Sequence, residues 1–203
     1  EIDQVKKNII VSVASKSQES FNLPAKKDAL ASVLASFLEK SEISKEERES
    51  YASAVPEFQD KINVATTVQE LEVSYFDGTK ETLLLVEKEI DIDDDSLTGA
   101  TVVEYVPKHI ASSVDELFLE KQVAILEKDP LFTYTAEGNH FTYSYIITKE
   151  QQPDSIKDTV TMVVPPFHAS NEDGNMLTGL AVFSYAENIS WYDVGIALGL
   201  ILM

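Results

Sequence analysis

From residue 67 onward the chain alternates. Leu71, Val73 and Tyr75 take turns with Glu70, Glu72 and Ser74, a period of two that turns one set toward a core and the other toward water. Asp77-Gly78 follows, a pair suited to the positive φ angles of a type I′ hairpin turn. The spacing predicts a return strand over 80–92, with Leu84, Val86, Ile90 and Ile92 on one face and acids on the other beyond Leu85. A third strand is expected from Thr101 to Val106, stopped by Pro107. Leu131–Thr135 and Phe141–Thr148 are expected to pair across Glu137-Gly138-Asn139, with Phe141, Tyr143, Tyr145 and Ile147 facing the core. Short strands separated by turns read as an antiparallel sandwich.

Residues 22–66 follow a different period. Leu30, Val33, Leu34, Phe37 and Leu38 recur at helical spacing on one face. Pro24 suits a first helical turn, and Ser44 with Glu47 reads as a capping box opening a second helix. Pro56 is expected to end that helix before a short turn carrying Phe58 and Ile62. After Gln151-Gln152-Pro153-Asp154-Ser155, which reads as a boundary, Thr159–Val164 and Leu177–Tyr185 are further strand candidates. Between these two lie Pro165-Pro166 and a polar loop over 171–175. The expected class is α+β. A helical unit over 1–66 precedes an antiparallel immunoglobulin-like β-sandwich over 67–150. Additional strands and a membrane-proximal segment follow over 151–193, and the start of a transmembrane helix over 194–203.

Hydrophobic residues make up 44% of 203, enough for a core and too many for a disordered chain. Acids outnumber bases 35 to 16, a net charge of −19 that a nucleic-acid backbone would repel, so nucleic acid is excluded as a main partner. With no cysteine there is no disulfide frame, zinc-thiolate site or thiol nucleophile. Residues 1–13 carry no signal peptide; a cleaved one would leave a mature start of this kind.

Candidate sites are sparse. Asp91, Asp93 and Asp95 imitate the first half of a calcium loop, but Ser96 stands where glycine is needed and Val102 where a bidentate glutamate is needed. A solvated acidic turn is the expected reading, with no calcium and no resident metal. No carboxylate pair is singled out for glycosidase chemistry, and no Gly-x-Ser-x-Gly elbow occurs. Gly138 and Gly174 lack the neighbours of a phosphate cradle, and His109, His140 and His168 lie far apart in sequence. The row Phe141, Tyr143, Tyr145 reads as core before it reads as a ligand platform. No catalytic residue and no cofactor is expected.

The last ten residues, Val194 to Met203, hold no charge and two glycines, and are entered through Trp191-Tyr192. An aromatic pair before an apolar run marks a membrane interface. Ten residues reach only halfway across a bilayer, which takes about 20. Two readings stand: the first half of an anchor, or a buried strand or helix. Asn188-Ile189-Ser190 is an N-glycosylation sequon, placed where an external loop would be if the anchor exists.

The stretch 101–147 resembles a β-sandwich module of archaeal exported surface proteins, where it lies just outside a C-terminal membrane segment. The resemblance rests on Val106-Pro107-Lys108, Ala111-Ser112-Ser113, Asp129-Pro130 and Tyr145. It departs at Phe132 and Tyr134, where such modules often carry tryptophan, and it covers about a quarter of the chain. It implies an immunoglobulin-like fold and an extracytoplasmic place, and it names no active site. Arg48 is the sole arginine, and this lysine bias with the acid excess suits an AT-rich genome and an external or saline milieu. The functional expectation is an interaction or scaffolding protein with protein partners, held outside the cell membrane by its tail. Its alternatives are a surface-filament subunit assembled by strand or tail exchange, and an extracellular hydrolase.

Overall fold

The computed structural model describes residues 9–22, 27–41, 43–93, 99–119, 123–136 and 138–166, together with the strand pair His168–Ala169 and Leu177–Thr178. Strand β1 (Ile10–Asn22) leads into helices α1 (Lys27–Lys40) and α2 (Lys45–Phe58). Then come β2 (Ile62–Tyr75), β3 (Lys80–Ile92), β4 (Thr101–Tyr105), β5 (Leu117–Leu119), β6 (Ala124–Glu127), β7 (Leu131–Thr135), β8 (His140–Ile147) and β9 (Val160–Val164), followed by the small pair β10 (His168–Ala169) and β11 (Leu177–Thr178).

Two antiparallel sheets face each other. One has the order β1-β2-β3-β8-β5 and the other β6-β7-β4-β9. Between them lies a core that includes Val68, Leu84, Val86, Ile90, Val102, Val106, Phe132, Tyr145, Ile147 and Val163. A second core lies on the outer side of the smaller sheet, where Leu30, Val33, Leu34, Phe37 and Leu38 of α1 and Tyr51 and Val55 of α2 meet Val103, Leu131, Val160, Met162 and Val164. The layers therefore run sheet, sheet, helices. This explains the uninterrupted apolar runs Val102-Val103 and Met162-Val163-Val164: a strand covered on both faces has no side to leave polar.

The capping box is formed, with Ser44 Oγ accepting from the Glu47 amide at 3.2 Å and Glu47 accepting from the Ser44 amide at 2.7 Å. Pro56, expected to end α2, instead lies inside its last turn, and the helix runs two residues further. At the end of α2 the buried Gln59 side chain acts as a surrogate strand. Its amide donates to Val163 O at 2.7 Å and accepts from Val163 N at 3.0 Å, closing part of the open edge of β9.

Three further expectations are corrected. The helical unit over 1–66 fails at both ends, because Ile10–Asn22 is a strand paired along β2 and β2 itself begins at Ile62. The side chains of β1 are almost all exposed, so no apolar period betrays it, and main-chain hydrogen bonds hold it. The turn at Asp77-Gly78 is a three-residue loop, with Tyr75 N donating to Thr79 O at 2.9 Å and Gly78 at φ 85°. That is a turn closed by a glycine bulge, not a two-residue type I′ hairpin. Finally, β7 and β8 do not pair. β7 lies between β6 and β4, whereas β8 lies between β3 and β5 in the other sheet. The segment around Gly138, at φ 119°, thus carries the chain from one sheet to the other.

Candidate functional site

Strand β3 alternates as expected, but the inward row Leu84, Val86, Ile90, Ile92 has Lys88 at its centre, wholly shielded from solvent. In register beside it lie Thr66 on β2 and Tyr143 on β8. Opposite, on β4, Glu104 stands inward between Val102 and Val106, also fully buried, with Phe132 and Thr161 as its neighbours in the sheet. A charge from each sheet is therefore delivered to the middle of the sandwich.

The two charges meet. Lys88 Nζ lies 2.5 Å from Glu104 Oε1, 2.9 Å from Thr159 Oγ1 and 2.7 Å from Thr161 Oγ1, which accounts for all three ammonium hydrogens. Tyr145 donates to Glu104 Oε1 at 3.0 Å, while Tyr143 and Thr161 donate to Oε2 at 2.8 and 2.7 Å. Thr159 donates onward to Ile156 O at 2.8 Å. Phe132 stands edge-on to Tyr145 at 5.7 Å, and Tyr134 packs on Tyr143 at 4.3 Å, walling the group with aromatic rings. Burial pushes Lys88 below the usual amine range, opposed by the Glu104 carboxylate. Burial, with Glu104 adding to it, holds the Tyr143 and Tyr145 phenols well above theirs, so both remain donors at any ordinary pH. Thr66 Oγ1, beside Lys88, is buried and is the one such side-chain atom among the described residues without a hydrogen-bond partner.

On the outer face of the same two strands, His140 is paired with Asp91. Its Nδ1 lies 2.6 Å from Asp91 Oδ1, and its Nε2 lies 3.7 Å from Glu89 Oε1. Glu89, Asp91 and His140 offer ligand atoms within 4.8 Å of one another, the only such group among the described residues. Nitrogen with carboxylate oxygens suits a first-row divalent ion more than calcium. However, the imidazole stands between the two carboxylates, and a metal would have to displace its hydrogen bond to Asp91. Two members of the calcium-like run fall on described residues. Asp91 is engaged with His140, Asp93 donates its amide to Lys61 O at 2.8 Å, and Asp95 lies outside the described residues.

The hydrogen bond to Asp91, then the charges of Asp91 and Glu89, raise the His140 pKa above 6.5. Its contribution to stability is therefore complete below the unfolded value of about 6.5 and is lost as pH rises through the higher folded value. An NMR titration of His140 is expected to show a midpoint above that of free histidine, falling in Asp91→Asn. A midpoint unchanged by the substitution would contradict the pairing.

The remaining sites singled out in sequence fall apart or lie elsewhere. His109 Nε2 is 3.4 Å from Asp158 Oδ2 on an exposed surface, distant in sequence from His140. Asn188, Trp191, Tyr192 and the tail 194–203 lie outside the described residues. Among the described residues no helix is long and apolar enough to cross a membrane. The row Tyr143, Tyr145, Ile147 is core, as expected, with Phe141 packed at its margin. Sequence reading missed Lys88 and Glu104, although both sit at inward parity in otherwise apolar rows. Comparison with known families, with characterised proteins and with solved structures gives no match to this chain.

Proposed function

We propose that this chain is an extracytoplasmic interaction or scaffolding protein, built on an immunoglobulin-like sandwich and held at the membrane by residues 194–203. The observation that carries the reading is β1, a 13-residue strand at the end of its sheet whose side chains lie almost entirely in solvent. Among the described residues no strand pairs with its outer edge, and such an edge is suited to receive a strand from another protein. At its start Ile9, Ile10 and Val11 are exposed, with Val11 at 56% and nearby Phe76 at 59%, while Phe76 N donates to Ile9 O at 2.8 Å. This apolar tip on an acidic molecule is the kind of feature that a partner covers. The resemblance of 101–147 to archaeal surface modules, the Asn188 sequon and the apolar tail give the reading its place outside the cell.

Two experiments test it. After carbonate extraction of cells, the full-length protein is expected in the membrane pellet, and release into the supernatant would refute the anchor. In cross-linking on intact cells, a partner band is expected that is lost in the Val11→Lys, Phe76→Lys double variant; a band unaffected by it would move the contact elsewhere. The open edge also fits the filament alternative, in which the band would contain only copies of this chain.

A further inference from the structure

We propose that Lys88 and Glu104 become joined by an intramolecular amide bond that ties the two sheets together through the core.

The ammonium nitrogen stands 2.5 Å from Oε1 of the carboxylate, and both side chains are at 0% exposure. Since a carbon–oxygen bond is about 1.23 Å, Nζ is within about 3.7 Å of the carboxyl carbon, at the border of near-attack range. Neither side chain has another place to go, because β3 and β4 are fixed in separate sheets and rings close the cage. Held reactants of this kind reach effective concentrations no solution attains. The condensation also removes two charges from an apolar interior, where each is held against a large solvation penalty.

The bond-making is balanced within the group itself. A proton passes from Nζ to Oε1 along their hydrogen bond, leaving a neutral amine beside a carboxylic acid. The nitrogen lone pair attacks the carboxyl carbon, and the negative charge moves onto Oε2. Tyr143 and Thr161 already donate to that oxygen, so the developing oxyanion meets donors that need not reorganise. A second proton passes from nitrogen to Oε1, the carbon–Oε1 bond breaks and water departs. The amide keeps one N–H for a threonine oxygen, and its carbonyl keeps the Tyr143 and Thr161 donors. Nothing is oxidised or reduced.

Mass spectrometry of the purified full chain decides it. Trypsin cuts after lysine, so an unlinked chain yields 81–88 and 89–108 as separate peptides. The linked chain is expected to resist cleavage after Lys88 and to yield 81–108 as one peptide, lighter by one water, with no backbone fragments between 88 and 104. Dehydration at Asp77-Gly78 would appear in a different peptide, 62–80. Lys88→Arg is expected to return the full mass. Glu104→Gln is expected to form the same bond with loss of ammonia in place of water. A linked fraction present in the parent and absent from Lys88→Arg supports the bond. Separate 81–88 and 89–108 peptides, both at full mass with no 81–108 product, would overturn it and leave an ion pair.

Discussion

Glu104→Ala is expected to lower the stability of the fold by about 3–5 kcal/mol, read as an earlier midpoint in urea with little change in slope. The magnitude follows from what is left behind. Lys88 keeps its amine in a site with no solvent and loses the one group that balances its charge. Tyr143 and Tyr145 lose the acceptor for two buried hydroxyls, and these unmet donors are part of the same loss. If the amide is present, its loss acts in the same direction. The pH dependence has a definite sign. Burial already lowers the Lys88 pKa and only Glu104 opposes it, so the variant's folded value falls further. Its unfolded state then binds more protons, and its stability rises with pH through the window between that folded value and 10.5. Replacing both charges, Lys88→Met with Glu104→Leu, is expected to recover much of the loss, because apolar groups of similar volume leave no charge unbalanced. A single variant within about 1 kcal/mol of the parent would mean that the group is not a closed network.

What the sequence disclosed and what it hid divide along one line. Rows that bury one face in a fixed period were legible: Leu30 to Leu38 on α1, Leu84 to Ile92 on β3, Tyr143 to Ile147 on β8. Features that depend on which elements meet were not. A turn and a passage between sheets have the same local chemistry, so Glu137-Gly138-Asn139 reads as a hairpin although β7 and β8 belong to different sheets. β1 has no period to read because it buries almost nothing. Lys88 and Glu104 each break an apolar row, and each alone reads as an accident of the surface. Only the facing of two sheets turns them into a pair. The surface triad has the same origin: Asp91 and His140 are 49 residues apart in sequence and become neighbours through the β3–β8 ladder.

Leu34→Asp is the second substitution expected to have a large effect, and it also asks whether the helices are a unit of their own. Leu34 is buried on the inner face of α1, in a cluster that includes Val103, Leu131 and Met162 from the outer side of the smaller sheet. Removing the leucine forfeits about 2–3 kcal/mol of buried apolar surface, and a carboxylate in its place would be buried among apolar side chains. A total loss of about 3–5 kcal/mol is expected. Ala35→Asp, one residue along and exposed, is expected to stay within about 1 kcal/mol, the scale of helix propensity alone. The form of the unfolding curve matters as much as its position. β4 and β9 give one face to the helices and the other to the sandwich, so the same strands, with Val103 and Val102 on opposite sides, serve both cores. Peeling α1 away exposes Met162 and Val164 and weakens the strand that carries Thr161 toward Glu104. Helical and sheet signals in circular dichroism are therefore expected to be lost together in one earlier transition. Loss of the helical signal alone, with the sheet melting as in the parent, would show that residues 27–58 fold apart from the sandwich.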